Sequence, residues 1–133
     1  MGSIGSNLQE VKRRIGAACA RAGRDAQSVT LLAVSKTFGP EAVREAHAAG
    51  QRAFGENYVQ ESLDKIAALA DLRAHLEWHL IGPLQSNKTR PVAEAFDWVH
   101  TVDRLKIAER LAAQRPESLP PLQVCLQVNI SGE

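Results

Sequence analysis

The run Val29-Thr30-Leu31-Leu32-Ala33-Val34-Ser35-Lys36 is apolar almost throughout and is followed at once by the turn signal Thr37-Phe38-Gly39-Pro40. A β-branched and aliphatic run of this length predicts a strand over 29–35 covered on both faces, as in parallel α/β sheets. The carboxyl end of such a strand is where these folds gather their ligands. Lys36 stands at that end, an unusual place for a primary amine.

The rest of the chain supplies the partners such a strand needs. From Ile4, apolar residues at Leu8, Val11, Ile15, Ala18, Cys19 and Ala22 follow helical spacing and Gly23 gives a stop, so an extra helix at about 4–22 precedes the strand. Pro40 opens a second helix that ends at Gly50. The alternation then repeats: strand 52–55, helix 58–70, strand 76–81, a helix capped by Ser86 and running to about 96, strand 98–102, a helix capped by Asp103, and strand 122–130. Strands alternating with helices at this pace mean successive right-handed βαβ units and a parallel sheet. Two closures fit the pattern equally. An open doubly wound sheet is complete with five strands, whereas an eight-strand barrel needs roughly 250 residues, of which these would be a part.

At 133 residues the chain suits one domain, 1–133, and its 16 basic against 15 acidic residues give no bulk case for binding nucleic acid or an anionic membrane. No stretch has the length and apolarity of a membrane span, and the amino terminus has no signal core. Cys19 and Cys125 lie in apolar settings without metal-ligand spacing, so both read as small core hydrophobes and fit a reducing cytoplasm. Met1-Gly2-Ser3-Ile4-Gly5-Ser6 matches the loose N-myristoylation pattern, but a match built from glycine and serine is cheap.

Three polar clusters fall at strand exits: Ser35-Lys36-Thr37, Gly55-Glu56-Asn57-Tyr58, and Gly82-Pro83-Leu84-Gln85-Ser86-Asn87-Lys88. In a barrel, such exits converge on one cavity. A lysine packed there among apolar walls has its ammonium form disfavoured and becomes nucleophilic toward an aldehyde or ketone. Lys12 and Lys65, by contrast, read as ordinary surface lysines. Taken singly, Asn57 and Ser86 also suit helix capping, and His79 suits a hydrogen-bonded buried imidazole with no further metal ligands beside it.

These clusters closely resemble the pyridoxal phosphate homeostasis proteins, also called the PLP-binding or proline synthetase co-transcribed family. The resemblance rests on Leu-Leu-Ala-Val-Ser-Lys-Thr around Lys36, on Phe54-Gly55-Glu56-Asn57-Tyr58-Val59-Gln60-Glu61, and on Trp78-His79-Leu80-Ile81-Gly82-Pro83-Leu84-Gln85-Ser86-Asn87-Lys88. It continues through Phe96-Asp97-Trp98-Val99-His100-Thr101-Val102-Asp103-Arg104 to Gln127-Val128-Asn129-Ile130. It implies an α/β fold, a (β/α)8 TIM-type barrel like the amino-terminal domain of alanine racemase, with about the first five strands present. It also implies that Lys36 carries pyridoxal 5′-phosphate as a Schiff base, with Asn57 lining the cofactor and His79 and Asn129 on strands feeding the same cavity. Function would then be vitamin B6 homeostasis in the cytoplasm by a non-catalytic carrier, with PLP-dependent apo-enzymes as acceptors of the cofactor.

In that family the phosphate is held near the carboxyl terminus, after a Gly-Thr segment that these residues do not include, so weak occupancy is expected. A PLP-dependent racemase or lyase is the alternative, but the second base of alanine racemase comes from a separate domain with no counterpart here. A small open-sheet regulatory domain is a third reading, in which Lys36 has no special reactivity. An unclosed barrel also exposes the edges of strands 29–35 and 122–130, which predicts self-association.

Overall fold

Ser3 accepts the Ser6 amide at the start of α1 (Ile4–Ala22), and Gly23 closes the helix at φ 68°, a left-handed conformation that glycine takes without Cβ strain. In the computed structural model, which describes residues 3–132, there follow β1 (Ala33–Val34), α2 (Pro40–Ala48), β2 (Ala53–Glu56), α3 (Val59–Ala68) and β3 (Glu77–Leu80). After these come α4 (Thr89–Ala95), β4 (Trp98–Val102), α5 (Leu105–Gln114) and β5 (Gln123–Leu126). Met1 and Gly2 of the myristoylation pattern lie outside the described residues.

The strand order decides between the two closures. All pairings are parallel and the order is β1-β2-β3-β4-β5, so each crossover steps in the same direction. A doubly wound sheet reverses direction and puts helices on both faces; a barrel does neither. One buried cluster joins Leu8 of α1, Val43 of α2, Ile66 of α3, Val92 of α4 and Ile107 of α5 to Phe54, Trp78, Leu80 and Val99 of the sheet. The helices therefore share one face, and the molecule is a five-strand arc of a (β/α)8 barrel.

The outer strands are shorter than the sequence predicts. Residues 29–35 give only Ala33–Val34, because β1 has β2 as its single neighbour and pairing begins where Ala33 meets Phe54. Nor is β1 covered on both faces: with all helices on one side, Val34 remains 50% exposed. Residues 122–130 likewise give only Gln123–Leu126, exposed throughout. Cys125 is thus exposed on an edge strand and is not a core residue, whereas Cys19 is buried.

Neither expected serine nor aspartate cap forms. Ser86 opens a 3-10 turn (Ser86–Lys88) whose Lys88 amide bonds back to the Gln85 carbonyl, so the turn serves a donor that a side chain would otherwise have taken. Asp103 pairs with Arg104 (3.5 Å), and α5 starts from Arg104 without a side-chain cap.

Candidate functional site

Strand alternation sorts the candidate residues by face. In β2, Phe54 and Glu56 point to the helices, so Ala53 and Gly55 point the other way, to the inner face of the arc. Register carries that face across the sheet: Val34 pairs with Gly55, Gly55 with His79, and His79 with Trp98. Two residues further along stand Lys36, Asn57, Ile81 and His100. Lys36 and Asn57 follow the ends of β1 and β2 and His79 lies in β3, so the three stand at or near the carboxyl ends of consecutive strands.

Glycines let the backbones close over this region. A Cβ at Gly55 would lie 3.1 Å from Ile81 Cδ1 and 3.3 Å from Leu32 Cδ2, and one at Gly82 only 2.1 Å from the Asn57 carbonyl oxygen. Asn57 does not cap α3, whose N-cap is Tyr58, without a side-chain bond. Its Oδ1 is instead buried without a hydrogen-bond partner, a costly arrangement for a side-chain acceptor.

His79 is buried and satisfied at both nitrogens. Nε2 lies 2.6 Å from Glu77 Oε1 and Nδ1 2.9 Å from His100 Nε2, and the ring stacks on Trp98 at a centroid distance of 5.3 Å. The Glu77 carboxylate accepts, so Nε2 is the donor of that pair, and Nδ1 shares a hydrogen bond with His100 Nε2. Burial first, and His79 second, hold the His100 imidazole below its ordinary value. Asn129 lies beyond β5, exposed, with its Oδ1 accepting from the Gly132 amide at 2.9 Å, because strand pairing has ended at Leu126.

Lys36 is exposed, contrary to the expectation of a buried amine, since the inner face at β1 carries no covering element among the described residues. The buried lysine is Lys65 of α3, which the sequence suggested was a surface residue. Its Nζ bonds to Glu56 Oε2 (2.8 Å), to the Ser35 carbonyl (2.8 Å) and to Glu61 Oε1 (3.5 Å). Ser35 Oγ donates to the same Glu56 carboxylate, and the Thr37 amide donates to Glu61 Oε1 at 2.6 Å. Thr37 has φ 67°, a conformation that β-branched residues rarely adopt. Both neighbours of Lys36 are therefore anchored to this acidic and basic cluster. In the sequence Glu56 stands only as a member of a strand-exit cluster, Lys65 as a surface lysine, and Glu61 and His100 only within the family motifs. Period-two alternation puts Glu56 on the same face as Phe54, and helical spacing puts Lys65 beside Ser62 and Ile66; those were the available signals.

Residues 6–133 match the alanine racemase N-terminal domain. The chain belongs to this family. Among its curated relatives, the pyridoxal phosphate homeostasis protein of Pseudomonas aeruginosa is 65% identical over 133 residues, all of this chain and 57% of the relative. That of Escherichia coli (strain K12) is 59% identical over 134 residues, again covering 57% of its length. The chain thus spans little more than half of these family members. Among solved structures, PipY of Synechococcus elongatus with PLP bound superposes with a TM-score of 0.78 at 46% identity, over 96% of this chain and 55% of that one. This similarity agrees with the arc of a family barrel seen here, and with the resemblance read from the motifs.

Proposed function

We propose that this chain is a pyridoxal 5′-phosphate-binding part of a homeostasis protein, with Lys36 supplying the amine. The observation that carries the reading is the pairing of an anchored Lys36 turn with a buried, unpartnered Asn57 Oδ1 on the adjoining strand exit. An orphaned acceptor fits a ligand that brings its own hydroxyl or N–H donor, and the pyridoxal group offers such donors. When bound, the cofactor supplies an aldehyde carbon to which Lys36 Nζ joins with loss of water. Asn57 would orient it from one side. His79, held between Glu77 and His100, would form the polar floor below, and Asn129 has the weakest claim because it lies exposed beyond the end of β5.

The role is that of a carrier or regulator of the cofactor pool in the cytoplasm, donating to PLP-dependent apo-enzymes, and not that of a racemase. Within the described residues no helix is long and apolar enough to cross a membrane. Tyr58, the sole tyrosine of the sequence, lies beside Asn57 and is 54% exposed, so among the described residues the inner face offers no buried phenol to act as an opposing base. Exposed Val124, Leu126, Val128 and Ile130 along the free edge of β5 and beyond support self-association of this chain.

The deciding experiment adds pyridoxal phosphate, reduces with borohydride and maps the modified peptide. Modification concentrated on Lys36 supports the reading; label spread over Lys12 and other exposed lysines overturns it. Exchange of the α-hydrogen of alanine in deuterated water tests the racemase alternative, which alone requires it.

A further inference from the structure

We infer that Glu61 and Lys65 are positioning residues for Lys36, an inference that rests on the proposed function and assigns it a mechanical basis. Lys36 and Thr37 are both exposed in the two-residue turn after β1, and nothing about an exposed lysine on such a turn fixes where its amine goes. Besides the Phe38 amide, which donates to the Ser35 carbonyl across the turn (3.1 Å), what holds the turn lies on the opposite face of the sheet. Ahead of Lys36, the Ser35 amide pairs with the Gly55 carbonyl (2.9 Å) while the Ser35 carbonyl accepts from Lys65 Nζ (2.8 Å) and Ser35 Oγ donates to Glu56. Behind it, the Thr37 amide donates to Glu61 Oε1 (2.6 Å).

The two anchors are one unit, because Glu61 Oε1 also faces Lys65 Nζ at 3.5 Å and Lys65 is in turn paired with Glu56 at 2.8 Å. Glu61 and Lys65 are one helical turn apart on α3, so a single rigid element holds both sides of the Lys36 peptide. Thr37 at φ 67° shows that the grip is needed: a threonine leaves this left-handed region unless its surroundings hold it there. Release of the Thr37 amide would let the turn relax and free the Lys36 side chain from one direction. The charge on Lys65 is itself enclosed by acceptors, so its task is structural and leaves Lys36 as the accessible amine.

The test compares the chain with Glu61→Ala, which deletes the acceptor, and Glu61→Gln, which keeps an acceptor oxygen without the charge. Two readouts are taken: hydrogen exchange of the Thr37 amide in the chain alone, and the rate at which borohydride traps pyridoxal phosphate on Lys36, with Lys12 as an internal reference. A hydrogen bond to a carboxylate of this kind corresponds to about a tenfold effect. The expected result is loss of Thr37 protection and about a tenfold slower trapping at Lys36 in Glu61→Ala, unchanged trapping at Lys12, and recovery to within about threefold in Glu61→Gln. Loss of Thr37 protection without any change in trapping at Lys36 overturns the positioning role while the cofactor reading stands. Equal loss in both variants overturns it in favour of a charge effect. Absence of Lys36-selective trapping in the unaltered chain overturns the proposed function and this inference together.

Discussion

The backbone of Asn57 and the α-carbon of Gly82 are in direct contact: a Cβ at position 82 would stand 2.1 Å from the Asn57 carbonyl oxygen and 2.7 Å from its Cα. This contact sets the exit of β2 against the exit of β3, beside an Asn57 side chain whose Oδ1 is buried without a partner. Because the clash is with backbone, it has no cheap relief. Gly82→Ala is expected to destabilise the chain by about 3 kcal/mol, measured by urea unfolding, and to weaken pyridoxal phosphate trapping beyond the loss of stability.

Lys65 and Glu56 form an ion pair whose side chains are 3% and 0% exposed. Removing one partner strands a charge away from water, which costs about 3–5 kcal/mol, whereas removing both leaves no bare charge. Lys65→Met is therefore expected to lower stability by about that amount, and Lys65→Met with Glu56→Gln to lie well above the sum of the single losses. A double-mutant cycle in urea gives the coupling; strict additivity contradicts it.

His100 titrates below its ordinary value in the folded chain, chiefly because it is partly buried and also because His79 faces it. As pH falls, the unfolded chain takes up this proton first. The contribution of His100 is therefore present above its ordinary value of 6.5 and is lost as pH drops toward the lower folded value. Denaturation midpoints collected between about pH 8 and about pH 5 should decline in that window, and His100→Gln should flatten the decline.

Cys125 is exposed on the free edge strand and Cys19 is buried in α1. If β5 edges pair between two copies, mild oxidation should yield a dimer linked through Cys125, with Cys19 slow toward thiol reagents. Val124→Lys should shift light scattering toward monomer. A clean monomer for the unaltered chain at high concentration would falsify the self-association proposal.

Much of this was legible in the residues themselves. Helical spacing from Ile4 to Ala22 with Gly23 after it fixed α1 to its ends, and 98–102 was read to the residue, since a local pattern with a local stop signal needs no partner to define it. The Lys36, Asn57 and His79 motifs carried the family resemblance directly. What needed the third dimension was everything set by neighbours. Strand order chose the barrel over the doubly wound sheet; edge position shortened β1 and β5 and exposed Cys125. The enclosure of Lys65 and the openness of Lys36 reverse the sequence reading for the same reason: burial depends on which face of the sheet the helices cover, and periodicity names the faces without saying which one is covered.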